Sequence, residues 1–525
     1  MKKRITALVL ACVLLTAMLP GCNTEDTPYV PTGDGLTWDD GSLDSAQEAT
    51  EPEAEMDLVM MYYPDITMNP FTCTDYTNQT LFSLLYQGLF TADSEYNVTP
   101  ILCGDFFVSE NMKNYIFYLD EKATFSDGTP VTIMDVYASY VAAKESKVYA
   151  GRFFHVREFT VTEDGGLSIS LSTAFENLPL LLDIPLVKES DIMVDRPVGS
   201  GPYYMEQTAF STRLRRVRNW WCGENATLIV DASAITLREA ESNTQIRDSF
   251  EFSDVGLVRA NPGSDAYADY RCDYELWDCE NGEFLYIACN LKSEVFSNAS
   301  IRRALTYAVD REMIVEEYYQ GFAHAASLPA SPQFPGYDEK LAARYTFDSE
   351  KFADAVRNAG KMDAEIRLLV NKKDSLRLRV AREIAAELEK CGLTVQLSAV
   401  GPVTYQHYLN VQEYDLYISE TRLPPNMDLS AFFSTRGELR KGNLADTTFY
   451  AMCQEALANV GNFYNLHELV MEDGRVCPIL FSTYSVHATR GLLTGLTPSR
   501  DNVFYYSIGK TVEDIATYEE PEEEA

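Results

Sequence analysis

The sequence predicts an α/β protein built from two lobes, and three observations support this fold class. From about residue 291 onward, helices alternate with strands, a rhythm that predicts parallel strands joined by right-handed crossovers. Before that point the chain is rich in strands and turns. Near residue 290 the chain passes from the first kind of region into the second, and a chain divided in this way is typical of two lobes that close about a hinge.

The N-terminus has the pattern of a lipoprotein signal peptide. Lys2, Lys3 and Arg4 precede an apolar run that is too short to span a bilayer. The tetrad Leu19-Pro20-Gly21-Cys22 resembles the lipobox of bacterial lipoproteins, in which the cysteine is diacylated. We therefore expect residues 1–21 to be removed and Cys22 to anchor the protein to a membrane, outside the cytoplasm, at the cell surface or in the periplasm. The alternative is an ordinary secretory signal with an incidental cysteine.

The formal net charge of −36 at pH 7 excludes some partners. Residues 22–55 mix Thr, Ser, Pro, Gly and acids without Lys or Arg, which predicts a disordered tether. Residues 516–525 are expected to form an acidic tail. So acidic a chain is not expected to bind nucleic acid or an anionic membrane face, and its acidity is interpreted chiefly as a solubilising surface.

Nine cysteines follow Cys22, and no two of them form a Cys-x-x-Cys pair. Neither a zinc ribbon nor a thioredoxin-like site is therefore predicted, and no metal or cofactor is expected. Cys272 and Cys279 flank a short polar stretch and could form a disulfide. Equally, all nine could remain thiols.

The folded body is predicted to begin near Met56 with a buried strand, Leu58–Tyr63. A loop at Thr67–Pro70 and a helix at Thr80–Tyr86, ending at Gly88, follow it.

An α+β subdomain is predicted next, with strands at Asn114–Leu119 and Leu167–Ser172. Thr132 and Asp135 have the spacing of a capping box, which starts a helix at Ile133–Ala143.

The second lobe is where helix and strand alternate. Arg302 and Arg303 lie off the apolar stripe of its first helix and are expected on a solvated or interdomain face. The predicted helices are Ile301–Val309, Arg311–Gln320, Ser349 to the residue before Gly360, Ser375–Lys390 and Val403–Val411, and the predicted strands are Glu365–Val370, Thr394–Ala399 and Tyr414–Ser419.

These elements give a division of the chain into lobes. The first lobe comprises residues 56–90, 199–290 and 478–515, with the α+β subdomain at 91–198 inserted in it. The second lobe comprises residues 291–477.

Three segments, in this order and at these distances, carry a family resemblance: Phe125–Thr132, Pro197–Tyr203 and Ser300–Glu312. Together they resemble the extracellular solute-binding proteins of the oligopeptide, dipeptide and nickel class, family 5, which feed ABC importers. The resemblance implies a periplasmic-binding-protein-like fold of type II, with an extra α+β subdomain in the first lobe and a hinge between lobes. It also implies capture of a peptide or peptide-like ligand between the lobes and its delivery to the permease subunits of an ABC importer.

An enzyme is not predicted, and no catalytic residue is proposed. The five histidines are scattered, and no nucleophile elbow, acylation motif or dinucleotide fingerprint occurs. Two alternatives to import remain open: a surface sensor or peptide chaperone without transport, and a binder of a metal chelate or another non-peptide solute.

The ligand site is inferred from the same resemblance. In oligopeptide-binding relatives an acidic residue just past a second-lobe strand meets the α-amino group of the peptide. The matching stretch here departs from that pattern, with Thr421 at the position of a tryptophan and Pro424 at that of the acid. The neighbouring candidates are Glu420, Arg422 and Asp428.

Arg422 has two possible roles. It could clamp a ligand carboxylate with two hydrogen bonds, or pair with Glu420 or Asp428. Asn69, in the loop after the first strand, and two tyrosines, Tyr203 and Tyr484, complete the set of candidate ligand-binding residues.

Overall fold

The structure is a computed structural model that describes residues 57–261 and 270–518, apart from the side chain of Glu224. The predicted signal peptide, Cys22 and the tether lie outside the described residues, as do residues 519–525 of the tail. Among the helices of the two described ranges, none is long and apolar enough to cross a bilayer.

Strands occur in both lobes, from Val59 near the start of the described chain to Thr517 near its end. They are β1 (Val59–Tyr62), β2 (Phe90–Ala92), β3 (Val98–Pro100), β4 (Cys103–Val108), β5 (Asn114–Leu119), β6 (Val156–Val161), β7 (Leu167–Leu171), β8 (Tyr203–Gln207), β9 (Thr212–Arg216), β10 (Ala234–Glu239), β11 (Leu257–Ala260), β12 (Tyr274–Cys289), β13 (Ala323–Ala325), β14 (Glu365–Asn371), β15 (Thr394–Val400), β16 (Leu416–Arg422), β17 (Val476–Thr489) and β18 (Ala516–Thr517).

The longer helices concentrate in the second half. The α-helices are α1 (Tyr76–Gln79), α2 (Phe82–Leu85), α3 (Ile133–Glu145), α4 (Asn243–Glu251), α5 (Ala299–Ala304), α6 (Arg311–Tyr319), α7 (Glu339–Ala342), α8 (Ser349–Asn358), α9 (Ser375–Lys390), α10 (Pro402–Val411), α11 (Ser430–Phe433), α12 (Thr447–Ala458) and α13 (Phe463–Asp473).

Two lobes are built on different sheets, as the sequence predicts. A four-stranded sheet, β1-β10-β9-β8, and a five-stranded sheet, β18-β4-β5-β7-β6, contribute to one hydrophobic core in the first lobe. A seven-stranded sheet, β11-β17-β12-β16-β14-β15 with β13 beside β17, extends into the second lobe. Apolar residues on its two faces, for example Leu285 and Tyr286, belong to two separate cores, so the sheet is covered on both sides.

The alternation of helix and strand does produce parallel strands. β14 pairs in parallel with β15 on one side and with β16 on the other. Between β14 and β15 runs α9, whose first turn is capped by the Asp374 side chain accepting from the amide of Arg377. The buried face of α9, including Val380 and Ile384, packs into the second-lobe core.

The lobes are joined by the antiparallel pair β12 and β17. Their register shifts between Glu280 and Phe284, where Gly282 has φ +77°. The positive φ favours glycine there, and a Cβ would also lie 2.4 Å from Cζ of Arg500, so the guanidinium group would have to move. On one side of the shift Tyr484 belongs to the first-lobe core, and on the other Leu285 belongs to the second.

The crossing points therefore lie near residues 280–284 and 481–484, closer to the first lobe than the predicted positions near 290 and 478. Both strands are apolar and buried over their second-lobe halves, Phe284–Cys289 and Val476–Phe481, and polar residues begin at the crossing itself, at Glu280–Glu283 and Ser482–Thr483.

Of three predictions for single elements or residues, one is confirmed and two differ from the structure. The capping box of Thr132 and Asp135 is present and starts α3. The helix predicted at Thr80–Tyr86 is shorter, α2 at Phe82–Leu85, and a second short helix, α1, precedes it at Tyr76–Gln79. Arg302 is not solvated: it is 8% exposed, donates to the carbonyls of Phe296 and Ser297, and pairs with Asp473.

The end of the chain also differs from the prediction. Ala516 and Thr517, which the sequence assigned to the acidic tail, form β18 and pair with Phe106 and Phe107 of β4. The nine cysteines after Cys22 are all thiols in the structure, and only Cys272 is not buried.

Candidate functional site

A cavity of about 460 Å³ lies where the crossing strands meet both lobes. The first lobe contributes Tyr76, at the start of α1, and Asn261, just after β11. The crossing strands contribute Asn281, Glu283 and Ser482. The remaining wall is second-lobe chain, namely the turn between β14 and α9 (residues 371–377) and Glu420 of β16.

Glu283 and Glu420 are brought together by the pairing of β12 with β16. In that ladder Glu283 is opposite Arg422, and Leu285 is opposite Glu420. The two glutamates are therefore diagonal neighbours on the same face of the sheet, within reach of each other's charge.

The carboxylate of Glu420 is only partly compensated. Nη2 of Arg377 donates to Oε2 of Glu420 over 2.5 Å but also lies 3.2 Å from Oδ2 of Asp374. Burial and the charge of Glu283 raise the pKa of Glu420, and Arg377 offsets this shift in part. Glu283 itself accepts a hydrogen bond of 2.9 Å from the hydroxyl of Tyr76.

Hydrogen-bond donors complement these acids. The guanidinium group of Arg259 makes cation–π contacts with two tyrosine rings. Its Cζ is 3.9 Å from the ring centre of Tyr484 and 5.0 Å from that of Tyr76. Its Nε is buried and has no hydrogen-bond partner among the described residues, and the same holds for Nε of Arg377. Buried donors of this kind gain stability when a ligand supplies an acceptor.

Among the sequence-predicted residues, Glu420 lines the cavity. Thr421 lies beside it in β16, opposite Phe284. Arg422 does not pair with Glu420 or Asp428, as one interpretation expected: its Nη2 is 2.7 Å from Asp501, and its Nε donates to the carbonyl of Asn281 over 2.9 Å.

Asp428 forms a contact between the second lobe and the α+β subdomain. Its Oδ2 is 3.1 Å from Nε2 of His155, and its Oδ1 accepts from the amide of Ser430 over 2.8 Å. Burial alone would raise the pKa of Asp428, but His155 and Ser430 hold that pKa below its usual range. Asp428 therefore already has its partners within the chain.

Asn69 and Tyr203 are likewise occupied inside the first lobe. The amide of Asn69 donates to the carbonyls of Ile192 and Val194, and the hydroxyl of Tyr203 donates to the carbonyl of Ala232. The hydroxyl of Tyr484 donates to the carbonyl of Ser499, which leaves only its ring, under Arg259, close to the cavity. The structure does not bring the polar atoms of these three residues into the cavity.

A second charged cluster lies farther along the lobe interface and is centred on Asp501. Arg152 of the subdomain is 2.8 Å from it, Arg422 of β16 is 2.7 Å, and Arg500 is 3.8 Å. Burial alone would raise the pKa of Asp501, but these three cations hold that pKa well below its usual range. In the two described ranges, no group of three His, Cys, Asp or Glu side chains is placed to hold a metal ion.

Sequence reasoning missed Tyr76, Glu283 and Arg377. Glu283 directly follows Asn281-Gly282, an unusual pair inside a strand, and the apolar run begins only at Phe284; this was the available signal. Arg377 stands at the start of a helix that follows a parallel strand, and ligands of α/β proteins commonly bind at that edge of a sheet.

Comparison with known proteins gives a consistent family. The family described as bacterial extracellular solute-binding proteins, family 5 Middle, matches residues 97–440. The chain is 23% identical over 351 residues to the glutathione-binding protein GsiB of Escherichia coli O157:H7, which covers 64% of this chain and 67% of GsiB.

Solved structures share the fold. A crystal structure of a putative peptide binding protein, AppA, from Clostridium difficile superposes with a TM-score of 0.70 and 18% identity, covering 85% of this chain and 98% of AppA. NikA from Brucella suis, solved in complex with Fe(III)-EDTA, superposes with a TM-score of 0.67 and 16% identity, covering 85% of this chain and 98% of NikA.

Proposed function

Because the chain belongs to family 5 of the bacterial extracellular solute-binding proteins, we propose that it captures a peptide or peptide-like solute and delivers it to an ABC importer. The ligand binds in the cavity between the lobes, with its free amino group at Glu283 and Glu420. The protein is held at the membrane by a lipid on Cys22.

The pair of neighbouring carboxylates carries this proposal. Two negative charges on one sheet face repel each other, and burial adds to the raised pKa of Glu420. A ligand ammonium group between Glu283 and Glu420 removes the repulsion and supplies hydrogen-bond donors to both. The cavity is therefore better suited to a cation-bearing ligand than to an empty state.

The remaining groups suit the rest of a peptide. Nε of Arg259 and Nε of Arg377 offer buried donors for carbonyl or carboxylate oxygens. Lys373 and the N-terminus of the 16-residue helix α9 add positive potential on the second-lobe wall. A zwitterionic ligand thus finds both of its charges matched.

Calorimetry tests the amino-group site. We expect short peptides with a free N-terminus to bind and their N-acetylated forms to lose about 2–5 kcal/mol, the range for truncating a buried charge pair. Glu420→Gln should lower the affinity for free peptides by a similar amount and abolish the difference between free and acetylated forms.

The matched control is Glu413→Gln. Glu413 is 55% exposed and 3.7 Å from Arg367, outside the cavity, so this variant should bind like the parent. Equal affinity for free and acetylated peptides in the parent would overturn the assignment of the amino group to Glu283 and Glu420.

Two cellular measurements test the anchor and the delivery step. Cys22→Ser should move the protein from the membrane fraction to the medium or soluble periplasm. Uptake of a labelled peptide should fall in cells whose only copy carries Glu420→Gln. Unchanged uptake in cells that lack the protein would contradict delivery to an importer.

A further inference from the structure

One surface of the first lobe reverses the charge of the whole molecule. The chain has 79 acidic and 43 basic side chains. In the hairpin of β8 and β9 and the two residues after it, residues 203–218, there are four arginines and one glutamate. We call this segment the arginine hairpin.

The register of the hairpin turns several of these charges outward. Tyr204 pairs with Arg215 and Glu206 with Arg213, and all four lie on the face opposite the buried Leu214. Arg213 forms no ion pair with any described residue. The separation between Arg215 and Glu206 is 3.7 Å, with both side chains about two-fifths exposed, so this pair compensates little charge.

An aromatic side chain stands at the tip. Phe210 is 99% exposed, the largest exposure among the described large apolar residues. The turn that carries it is braced, because Oγ1 of Thr208 accepts from the amides of Phe210 and Ser211 over 3.3 and 3.1 Å. The ring is therefore held in water by an ordered turn, an arrangement that burial in a partner would stabilise.

A neighbouring loop extends the same surface. Met193 is 90% exposed, and Arg196, three residues later, donates to the side chain of Gln207 at the base of the hairpin. The amide of Asn69 holds the carbonyl of Val194, which fixes this loop to the first lobe. Arg196 thus adds a guanidinium group at the base of the hairpin, on a loop that also carries the exposed acids Glu189 and Asp195.

We propose that the arginine hairpin docks onto a membrane surface rich in anionic lipid headgroups, with Phe210 entering the headgroup layer. Aromatic rings favour the membrane–water interface, and arginines near it are attracted to lipid phosphates. This proposal departs from the expectation, based on net charge alone, that the chain avoids an anionic membrane face. At physiological ionic strength charges are screened beyond about 8 Å, so only acids close to the hairpin, such as Glu206 and Asp231, offset the local attraction.

The shape of the surface favours a membrane over a protein partner. A specific protein interface buries roughly 800 Å² on each side around a packed centre. The arginine hairpin instead ends in a single exposed ring with cations behind it, which matches the layered chemistry of a bilayer surface. This proposal depends neither on the ligand cavity nor on a lipid at Cys22.

Flotation with lipid vesicles tests the proposal. The chain is produced without residues 1–22, so that no lipid is attached and every described residue remains. We expect it to float with vesicles that contain phosphatidylglycerol, to bind pure phosphatidylcholine vesicles much less, and to be released by high salt.

Variants then locate the contact. Arg213→Gln, Arg215→Gln and Arg218→Gln should each weaken binding about fivefold, the effect of one cation near an anionic surface. Phe210→Ala should weaken it by about fivefold or more. Because these side chains are exposed, the circular dichroism spectrum and melting temperature should not change.

Matched controls lie elsewhere on the surface. Phe252, which is 76% exposed, is replaced by Ala, and Arg303, Arg344 and Arg490, each about half exposed, are replaced by Gln. These variants should bind like the parent. Three outcomes would overturn the proposal. The first is equal binding to both kinds of vesicle, and the second is an equal loss of binding in the control variants. The third is binding only when permease subunits are embedded in the vesicles, which would indicate a protein partner.

Discussion

The lobe interface contains two kinds of carboxylate. Asp428 and Asp501 each face cationic or hydrogen-bonding groups from another part of the chain, and their pKa values are lowered. Glu420 shares Arg377 with Asp374 and has Glu283 beside it, and its pKa is raised. All three side chains are largely buried, so burial does not distinguish them.

The difference lies in what the chain supplies. Arg152, Arg422 and Arg500 surround Asp501, and the buried Asp183 lies close enough to interact with Arg152 and Asp501, so three cations face two aspartates at a contact between segments of both lobes. At Glu420 the excess is negative, and no group of the described chain removes it. Asp428 and Asp501 are satisfied by the chain and contribute to the contact between lobes, whereas Glu420 is only partly compensated, which is why we propose it as a ligand contact.

Removing the charge of Asp501 should give the largest effect on stability. Asp501→Asn leaves Arg152, whose side chain is 4% exposed, without its counter-charge, and breaking a buried pair in this way costs about 3–5 kcal/mol. Urea unfolding measures the loss. The control Asp254→Asn removes a half-exposed pair with Arg238 and should cost no more than about 1 kcal/mol. Equal losses in the two variants would remove the distinction between the clusters.

Asp428→Ala should have the second largest effect. It leaves Nε2 of His155 and the amide of Ser430 without their charged acceptor, and hydrogen bonds to a charged group contribute about 1.5–3 kcal/mol. Asp354→Ala, at an exposed site paired with Arg357, serves as the control. If peptide affinity fell far more than stability, Asp428 would have to be counted among the ligand-binding residues after all.

Glu420→Gln should give the smallest effect on stability, and with the opposite sign. Since the folded pKa of Glu420 is raised, the native state binds more protons than the unfolded state, and this contribution falls as pH rises from about 4 through the raised value. In Glu420→Gln no proton is bound at this position, so the free energy of unfolding does not fall for this reason as pH rises. The variant should therefore become more stable relative to the parent over the same pH range, by about 1 kcal/mol or more.

The same pH series sharpens the comparison. Asp428 and Asp501 have lowered pKa values, so their stabilisation is present above about pH 4 and is lost on further acidification. Asp183, whose pKa burial raises to about 6, and His467, whose pKa burial lowers to about 3, also make stability depend on pH between 4 and 8. Melting temperatures of the ligand-free protein over this range should therefore show a slope that Glu420→Gln changes and Glu413→Gln retains. An unchanged slope in Glu420→Gln would show that this carboxylate titrates normally.

The sequence predicted the regular parts of the fold best where local signals agreed. The helix Ser375–Lys390 was predicted at both ends, because a capping aspartate, a buried stripe and Gly392 all mark it. The crossing strands were placed less well. The passage between lobes lies inside two long strands, at the polar residues 280–283 with the bulge at Gly282 and at Ser482–Thr483, so no break between elements marks it.

Only one of the two neighbouring glutamates in the candidate cavity could be predicted from the sequence. Glu420 was found through the family pattern around β16, but its neighbour Glu283 lies in another strand far away along the chain, and only strand register brings the two together. The partner of Arg422 was missed for the same reason, because Asp501 comes from the segment that follows β17. Contacts made by tertiary pairing leave no local pattern to read.

The state of the cysteines has a practical consequence for production and labelling. Since all nine cysteines after Cys22 are thiols and only Cys272 is incompletely buried, the described fold requires no oxidative step and no disulfide-forming catalyst. We therefore expect the body to fold when it is produced in a reducing cytoplasm and to keep its melting temperature in reductant. Mild alkylation should then modify Cys272 first, which provides an attachment point for a fluorophore without mutating the other eight cysteines.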